Sequence, residues 1–377
     1  MLILAAILAI FVYGIIAAMF GTIIPALATK FALSNVQAGF IFTAQALGLT
    51  IASISVGPLI DNKGKKVGLL LGLGLVAVAL FGMANASGYE MLVALAVLLG
   101  VGGGIIVTGA NALVSDINPA KRGSVMNGLN LFFGLGGMVT PLLASDLLGG
   151  DPIKVAYFAA VLTTVTLGVH SITKMPPPTG ERGFKASEMG ALLSQPILYL
   201  LAMFLFLYVA TEVGLSNWLA KHLIAQGVPQ ATAQRILGWG FALGILVGRV
   251  AVVPVLTKVD PQTVTLAASV LMAITTFGML QASDPTMAGV AVFCAGLAMA
   301  PVFPTTLAMV GGAFPKATAT AMGIVITCGW LGIFVTSPII GSIAESSGLR
   351  TALLILPAFS VLMILVNLMV RSMLKKS

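Results

Sequence analysis

KMPPPTGERGFKASEMGALLSQ, residues 174–195, is the longest connection between apolar runs in this chain of 377 residues. Its consecutive prolines and its charged residues indicate a solvent-exposed linker. On either side the sequence is a series of long apolar runs joined by short connections. The linker therefore divides the chain into two halves, residues 1–173 and 196–377, which we expect to fold as separate domains.

The composition indicates that both halves face hydrocarbon. The chain is 59% hydrophobic and only 8% charged, whereas soluble domains carry roughly 25% charged residues. The net charge of +8 does not point to nucleic acid, because the basic residues are scattered singly and in pairs along the connections. That distribution is typical of membrane topology. We predict an all-α membrane protein whose surroundings are a lipid bilayer.

Twelve spanning helices are predicted, because a spanning helix takes about 20 apolar residues and breaks fall where charge, proline or polar clusters interrupt the runs. The first run lacks a basic start and is longer than a signal peptide, so it is interpreted as a span. The predicted spans are 2–27, 36–60, 67–87, 90–115, 122–146, 153–173, 196–222, 232–256, 262–282, 286–312, 317–344 and 350–371.

The distribution of basic residues supports this count. With both termini cytoplasmic, 13 of the 19 Lys and Arg residues lie on the cytoplasmic side, 5 lie outside and Arg249 lies within a span. Cytoplasmic connections of membrane proteins carry such an excess of Lys and Arg. The short connections favour a bacterial inner membrane as the location.

One loop carries the strongest motif, GPLIDNKGKKVG at residues 57–68, between the second and third spans. Gly57 and Gly64 permit close approach and a tight turn, and Asp61 can cap a neighbouring helix or pair with a base. The alternative interpretation is a topology signal alone, which explains the lysines but not the Gly–Asp–Gly spacing. A second phrase, GSIAESSG at residues 341–348, repeats that spacing between the eleventh and twelfth spans.

The loop motif resembles the signature loop of the major facilitator superfamily, and the layout of six spans, linker and six spans is similar to that family over nearly the whole chain. The resemblance implies two six-helix bundles built from inverted three-helix repeats, working by alternating access. A monomer is expected. The residues expected to act as a conformational switch are Gly57, Asp61, Gly64, Lys65 and Arg249.

Several shorter stretches resemble the fucose–galactose–glucose:proton symporter family and its sodium-coupled glucose-transporter relatives. These stretches are FLYVATEVGLSNW (206–218), Gly248-Arg249, TGAN (108–111), NGLNLFFG (127–134), FPT (303–305) and GIVITCGW (323–330). The resemblance implies transport of a monosaccharide driven by a proton or sodium gradient. Sugar–proton symporters of that family place acids in the first and fourth helices, whereas here Asp116 lies only at the end of the fourth span. The coupling ion therefore stays open.

Glu212 is the residue predicted to bind the coupling cation and to contact the substrate. A carboxyl group near the middle of a spanning helix is costly and usually faces a bundle interior or a cavity. Tyr208 and Ser216 lie four residues on either side and therefore share its stripe. The alternative for Glu212 is a structural hydrogen bond to a neighbouring helix. Arg249 is interpreted either as a switching or substrate-binding residue or as a structural anchor.

Uncharged polar and aromatic side chains complete the predicted substrate site. Amides and hydroxyls both donate and accept hydrogen bonds, which suits the hydroxyl groups of a sugar, and an indole can stack on a sugar ring. Interhelical hydrogen bonding and helix packing are the alternative roles. The predicted substrate-binding residues besides Glu212 are Gln45, Thr108, Asn111, Asn127, Asn130, Trp239 and Trp330.

Other functional classes fit the sequence less well. The two histidines, His170 and His222, are about 50 residues apart at helix ends, and neither has a metal-ligand spacing. An intramembrane enzyme and a metal site are therefore not expected, and neither is any cofactor apart from a coupling ion. The alternative within the same fold is an organic-anion or drug transporter, in which Arg249 contacts an anionic substrate.

Overall fold

The computed structural model describes residues 1–33, 35–143, 147–148, 151–177, 186–229, 232–233, 236–282 and 284–374. Within them every regular element is helical. The elements are α1 (Leu2–Lys30), α2 (Asn35–Lys63), α3 (Lys65–Ala84), α4 (Tyr89–Ile117), a 3-10 turn (Pro119–Lys121), α5 (Arg122–Leu142), α6 (Pro152–Ile172), α7 (Ala186–Leu193), α8 (Pro196–Ala225), a π-helix (Ile236–Phe241), α9 (Ala242–Val255), α10 (Pro261–Met279), α11 (Pro285–Met299), α12 (Val302–Ala313), α13 (Thr318–Ser347), α14 (Leu349–Leu353) and α15 (Ile355–Leu374).

The helices confirm the predicted twelve-span fold. Among the described residues, ten helical segments are long and apolar enough to cross a membrane. The fifth predicted span corresponds to α5, and the eighth corresponds to the π-helix together with α9. The end of the fifth span at residue 146 lies outside the described residues. A short helix that the sequence analysis does not predict, α7, lies in the linker.

Two predicted spans are each divided into two helices by a proline. Span 286–312 is divided between α11 and α12 at Pro301, and span 350–371 is divided between α14 and α15 shortly before Pro357. A proline lacks the N–H that a continuous helix needs, and its ring clashes with the carbonyl four residues earlier. The span count is unaffected because the two helices of each pair follow one another directly.

The chain forms two compact units whose boundaries cut across the helices. The first unit contains residues 1–117, 129–189 and 314–324. The second contains residues 118–128, 190–313 and 325–377. The first turns of α13 therefore belong to the first unit, and the beginning of α5 belongs to the second.

Glycines allow the helices within each unit to pack backbone to backbone. In the first unit a Cβ on Gly100 of α4 would collide with the carbonyl oxygen of Gln45 in α2. In the second unit a Cβ on Gly244 of α9 would collide with the carbonyl of Phe293 in α11. Small residues serve this purpose in membranes, where no hydrophobic effect drives helices together. These contacts fix the helices that carry the polar groups of each unit.

Candidate functional site

A group of charged and polar residues in the first unit surrounds Asp61 at the end of α2. We call Asp61, Lys65, Asp116 and the first turn of α13 the Asp61 cluster. Asp61 is only 3% exposed, and its Oδ1 accepts a hydrogen bond of 3.1 Å from the backbone N–H of Ala319. Its Oδ2 accepts hydrogen bonds from the Thr320 backbone N–H at 2.8 Å and from the Thr320 hydroxyl at 2.7 Å. The carboxylate therefore caps the start of α13, which is more than 250 residues away in sequence.

The physical reason for this contact is the start of α13 itself. The first N–H groups of a helix have no partner within the helix, and the helix dipole makes that end favourable for a negative charge. Asp61 supplies both the acceptors and the charge. A buried carboxylate is costly without such partners. The Asp61 carboxylate and the start of α13 therefore stabilise each other.

A buried ion pair extends the Asp61 cluster to α4. The Nζ of Lys65 lies 2.7 Å from Oδ2 of Asp116, and Lys65 is almost completely buried. The Oδ1 of Asp116 accepts a hydrogen bond of 3.1 Å from the Thr318 hydroxyl. Two carboxylates and one ammonium thus meet the positive end of α13. Asp116, interpreted from the sequence only as a residue at a helix end, is part of this cluster.

Two glycines let α2 and α13 approach closely enough for these bonds. A Cβ on Gly57 would collide with the backbone of Thr320, and one on Gly323 would collide with the carbonyl oxygen of Ser53. Gly64 follows α2 with a φ of 94° and a ψ of 153°, and α3 begins at the next residue. Only glycine adopts that conformation without strain. The structure thus brings together Gly57, Asp61, Gly64 and Lys65.

Arg249, the fifth predicted switch residue, lies in the second unit and not in the Asp61 cluster. It lies close enough to Tyr208 and Glu212 of α8 to interact electrostatically with both, and Tyr208 and Glu212 also interact with each other. Tyr208 and Arg249 are buried, whereas Glu212 is half-buried. We call these three residues the Glu212 group. Sequence reasoning placed Tyr208 on the stripe of Glu212 but treated Arg249 separately.

The predicted amides form two hydrogen-bonded pairs. In the first unit the Asn130 side-chain N–H donates to Oδ1 of Asn111 at 3.0 Å. In the second unit the Asn127 side-chain N–H donates to the Thr305 hydroxyl at 2.9 Å. Thr305 was not among the predicted site residues, although it stands in the quoted FPT stretch. The asparagines of the NGLN stretch, three residues apart on α5, therefore have different partners.

Some buried polar atoms have no hydrogen-bond partner in the part of the chain that the structure describes. They include Oγ1 of Thr108 in the first unit, and Oδ1 of Asn127, Oγ1 of Thr327 and Nε1 of Trp330 in the second. Thr327 and Trp330 are three residues apart and share one face of α13. An unsatisfied buried polar atom is costly, so water or a polar ligand is the expected partner.

Two predicted aromatic positions and one amide complete the comparison with the sequence. The half-buried Trp330 packs against Phe303, with ring centroids 6.5 Å apart. Gln45 is half-buried on α2, where its backbone carbonyl faces Gly100. The side chain of Trp239 lies outside the described part of the structure. In the described ranges no three His, Cys, Asp or Glu side chains are grouped as metal ligands.

Comparison with known proteins supplies a family. The family model described as Major Facilitator Superfamily matches residues 6–251 and 227–376. The Protein TsgA homolog of Erwinia tasmaniensis is 21% identical over 344 residues, which cover 90% of this chain and 87% of that protein.

Solved structures share the fold over almost the whole chain. The E. coli fucose:proton symporter FucP, in the outward conformation, matches with a TM-score of 0.86 at 17% identity, covering 98% of each chain. The human organic anion transporter MFSD10 matches with a TM-score of 0.80 at 16% identity, covering 97% of this chain and 98% of that one. At such identities the likeness shows the fold alone.

Proposed function

The chain belongs to the Major Facilitator Superfamily, and we propose that it carries a small polar solute, with monosaccharides as the favoured class, by cation-coupled alternating access. Membership of this family makes the protein a membrane transporter of a small molecule and not an enzyme. The solute and the coupling ion are the parts that we propose. No cofactor other than the coupling ion enters the proposal.

The Glu212 group is the observation that carries the proposal. A carboxyl and a guanidinium within spanning helices are costly and are usually retained for function. Glu212 is half-buried and has two partners of different kinds, the Tyr208 hydroxyl and the Arg249 charge. A proton or a sodium ion that binds Glu212 competes with Arg249 for the carboxylate. Cation binding therefore changes an interaction between α8 and α9, which is how an ion can bias one conformation over another.

Uncharged polar atoms support a neutral, hydroxyl-rich solute. Thr108, Asn127, Thr327 and Trp330 each have a buried donor or acceptor without a partner among the described residues. Hydroxyl groups of a sugar can donate and accept with each of these atoms. FucP, whose fold this chain shares, is a fucose:proton symporter, which adds support of a weaker kind. An organic anion fits less well, because Arg249 already interacts with the carboxyl group of Glu212.

The Asp61 cluster provides the second element of alternating access. In this proposal its bonds between α2, α4 and α13 hold the linker side closed, and they break when that side opens. Three hydrogen bonds to one carboxylate and one buried ion pair must be exchanged in that step. The proposal also includes a monomer in a bacterial inner membrane, with both termini cytoplasmic as the excess of basic residues indicates.

The test is uptake of labelled glucose, galactose and fucose into proteoliposomes under a sodium gradient, a proton gradient or neither. A single cation moving through about 100 mV supplies about 2.3 kcal/mol, enough for roughly fiftyfold accumulation. We expect one of these sugars to accumulate and Glu212→Gln to abolish accumulation, while exchange of the same sugar across the membrane persists. The matched control is Glu90→Gln, which neutralises an exposed carboxyl at the beginning of α4.

Three other outcomes contradict parts of the proposal. If Glu212→Gln accumulates the sugar as the parent does, Glu212 is not the coupling site. If sugar equilibrates under every gradient without accumulating, transport is not coupled. If no sugar enters while 4-hydroxybenzoate or another organic anion does, the solute class is wrong and Arg249 becomes the residue to substitute.

A further inference from the structure

A cavity of about 250 Å³ lies in the second unit where several helices end. It is lined by the 3-10 turn and the beginning of α5, by the connection between α9 and α10, and by the end of α12. Its polar lining residues include Lys121, Arg122 and Gln262, and its apolar lining residues include Leu256 and Met309. Its size is below the roughly 300 Å³ at which sites for drug-sized molecules begin. It therefore suits a headgroup or a small anion.

The cavity exists because the beginning of α5 packs against distant parts of the chain. The Ser124 hydroxyl donates a hydrogen bond of 2.9 Å to the carbonyl of Val253 in α9. One turn later the Asn127 side chain donates to Thr305 of α12, also at 2.9 Å. A Cβ on Gly123 would lie 3.2 Å from the side chain of Leu256. Without these contacts the basic residues before Gly123 would not face the α9–α10 connection.

The segments around the cavity are strongly basic. Residues 118–124, 256–262 and 308–313 contain three basic residues, Lys121, Arg122 and Lys258, and one acidic residue, Asp260. Asp260 caps α10, because its carboxylate accepts from the N–H of Thr263 at 2.8 Å and from the Thr263 hydroxyl at 2.7 Å. The Asp260 carboxylate is therefore engaged by its own helix. Positive charge dominates the cavity and its surroundings.

Arg122 and Lys121 are arranged differently at this cavity. A terminal nitrogen of Arg122 lies 3.5 Å from the place where a Cβ of Gly312 would be, so the missing side chain makes room for the guanidinium. Lys121 is exposed at the rim. A guanidinium held in place beside an exposed ammonium is a combination that binds phosphate groups.

We propose that this cavity is an anion site for a phosphate-bearing group, either the headgroup of an anionic phospholipid or a soluble phosphate ester. The helix ends that line it lie where spans leave the hydrocarbon, which is also the level of lipid headgroups. Its apolar side, with Leu256 and the neighbouring α12 residues, suits the first carbons of a lipid's acyl chains. A bound anion bridges α5 of the first half of the sequence to α10 and α12 of the second half, and so stabilises the contacts of Ser124 and Asn127.

The experiment uses the full chain and two probes. In detergent the probe is inorganic phosphate or glycerol 3-phosphate, and its binding is measured from the rise in the midpoint of thermal unfolding. In nanodiscs the probe is phosphatidylglycerol mixed into phosphatidylcholine, followed by native mass spectrometry of the retained lipid. The variant is Lys121→Gln, and the matched control is Lys174→Gln, an exposed lysine at the beginning of the linker.

We expect the affinity for the bound probe to fall about fivefold in Lys121→Gln and to stay unchanged in Lys174→Gln, because each basic residue near a phosphate contributes about 1 kcal/mol. Retention of phosphatidylglycerol with this dependence identifies a lipid headgroup, and stabilisation by glycerol 3-phosphate alone identifies a soluble ester. Binding of neither probe, or binding that responds equally to both substitutions, overturns the proposal.

Discussion

The two loops with the spacing Gly–x3–acid–x2–Gly adopt the same backbone in different surroundings. Gly64 has φ 94° and ψ 153° immediately before α3, and Gly348 has φ 84° and ψ 154° immediately before α14. Asp61 of the first loop is buried and accepts three hydrogen bonds from the start of α13. Glu345 of the second loop is exposed.

The different burial of Asp61 and Glu345 shows that the acid and the second glycine of the motif have separate roles. The glycine that follows the acid by three residues sets the direction in which the next helix begins, and it does so in both loops. The acid becomes a fixed contact only where a helix start lies against it. A repeated sequence pattern therefore predicts the turn, and its tertiary surroundings decide whether the acid is used. Substitutions made in pairs, one in each loop, test this separation.

The largest expected effect is a difference in maleimide labelling rate between the variants Asp61→Asn and Glu345→Gln. An asparagine offers one oxygen and turns an N–H₂ group toward Thr320 donors, so the start of α13 loses charge-assisted hydrogen bonds worth about 3 kcal/mol. We expect maleimide to label an added Ala321→Cys, a buried position in α13, about a hundredfold faster in Asp61→Asn. Glu345→Gln is the control and should not change the rate. Equal rates in both variants would refute the assignment of Asp61 as the closing contact.

A smaller effect, a difference in the midpoint of thermal unfolding, is expected between Gly57→Ala and Gly341→Ala. The new Cβ at position 57 would collide with the backbone of Thr320, which cannot move aside as a side chain can. Overpacking of this kind costs about 2 kcal/mol. At position 341 the Cβ would meet the Trp218 ring at 3.6 Å, an ordinary contact. The midpoint of thermal unfolding in detergent should fall only for Gly57→Ala, and a fall of equal size for Gly341→Ala would contradict the prediction.

No difference is expected between Gly64→Ala and Gly348→Ala. Both positions have a positive φ that side chains rarely adopt, so alanine costs about 2 kcal/mol at each whatever the space around it. At Gly348 the structure leaves the Cβ position free of neighbouring atoms within 4 Å, so the backbone conformation alone opposes alanine there. The midpoints of thermal unfolding should therefore fall by similar amounts. Tolerance of alanine at one position alone would show that the two turns are not equivalent.

The fold could be predicted almost completely from the sequence. Span number and order follow from apolar length, because hydrocarbon forces each backbone polar group to be satisfied inside its own helix. The helix breaks at Pro301 and before Pro357 could not be predicted from the sequence. Proline is often tolerated within membrane helices, and the local sequence does not show which proline interrupts a helix. Pro58 and Pro338 lie inside unbroken α2 and α13.

The candidate site could be predicted only in part. The pattern around Asp61 and the stripe of Tyr208 and Glu212 were visible, because both depend on residues close together in the sequence. The partners Thr305, Thr320 and Asp116 were missed as site residues. Thr305 stands in the quoted FPT stretch and Asp116 at the end of the fourth span, but their partners lie on helices that are distant along the chain, so the local sequence did not show these contacts.

By itself the sequence determined the class of protein, the number of spans and the glycine turns, because these depend on composition and on local backbone preferences. Only the tertiary structure decided which charges meet. It paired Lys65 with Asp116, placed Asp61 against the start of α13, and brought Arg249 within electrostatic reach of Glu212. Charges in a membrane helix need partners, but which helix supplies them depends on packing between segments that the linear sequence does not bring together.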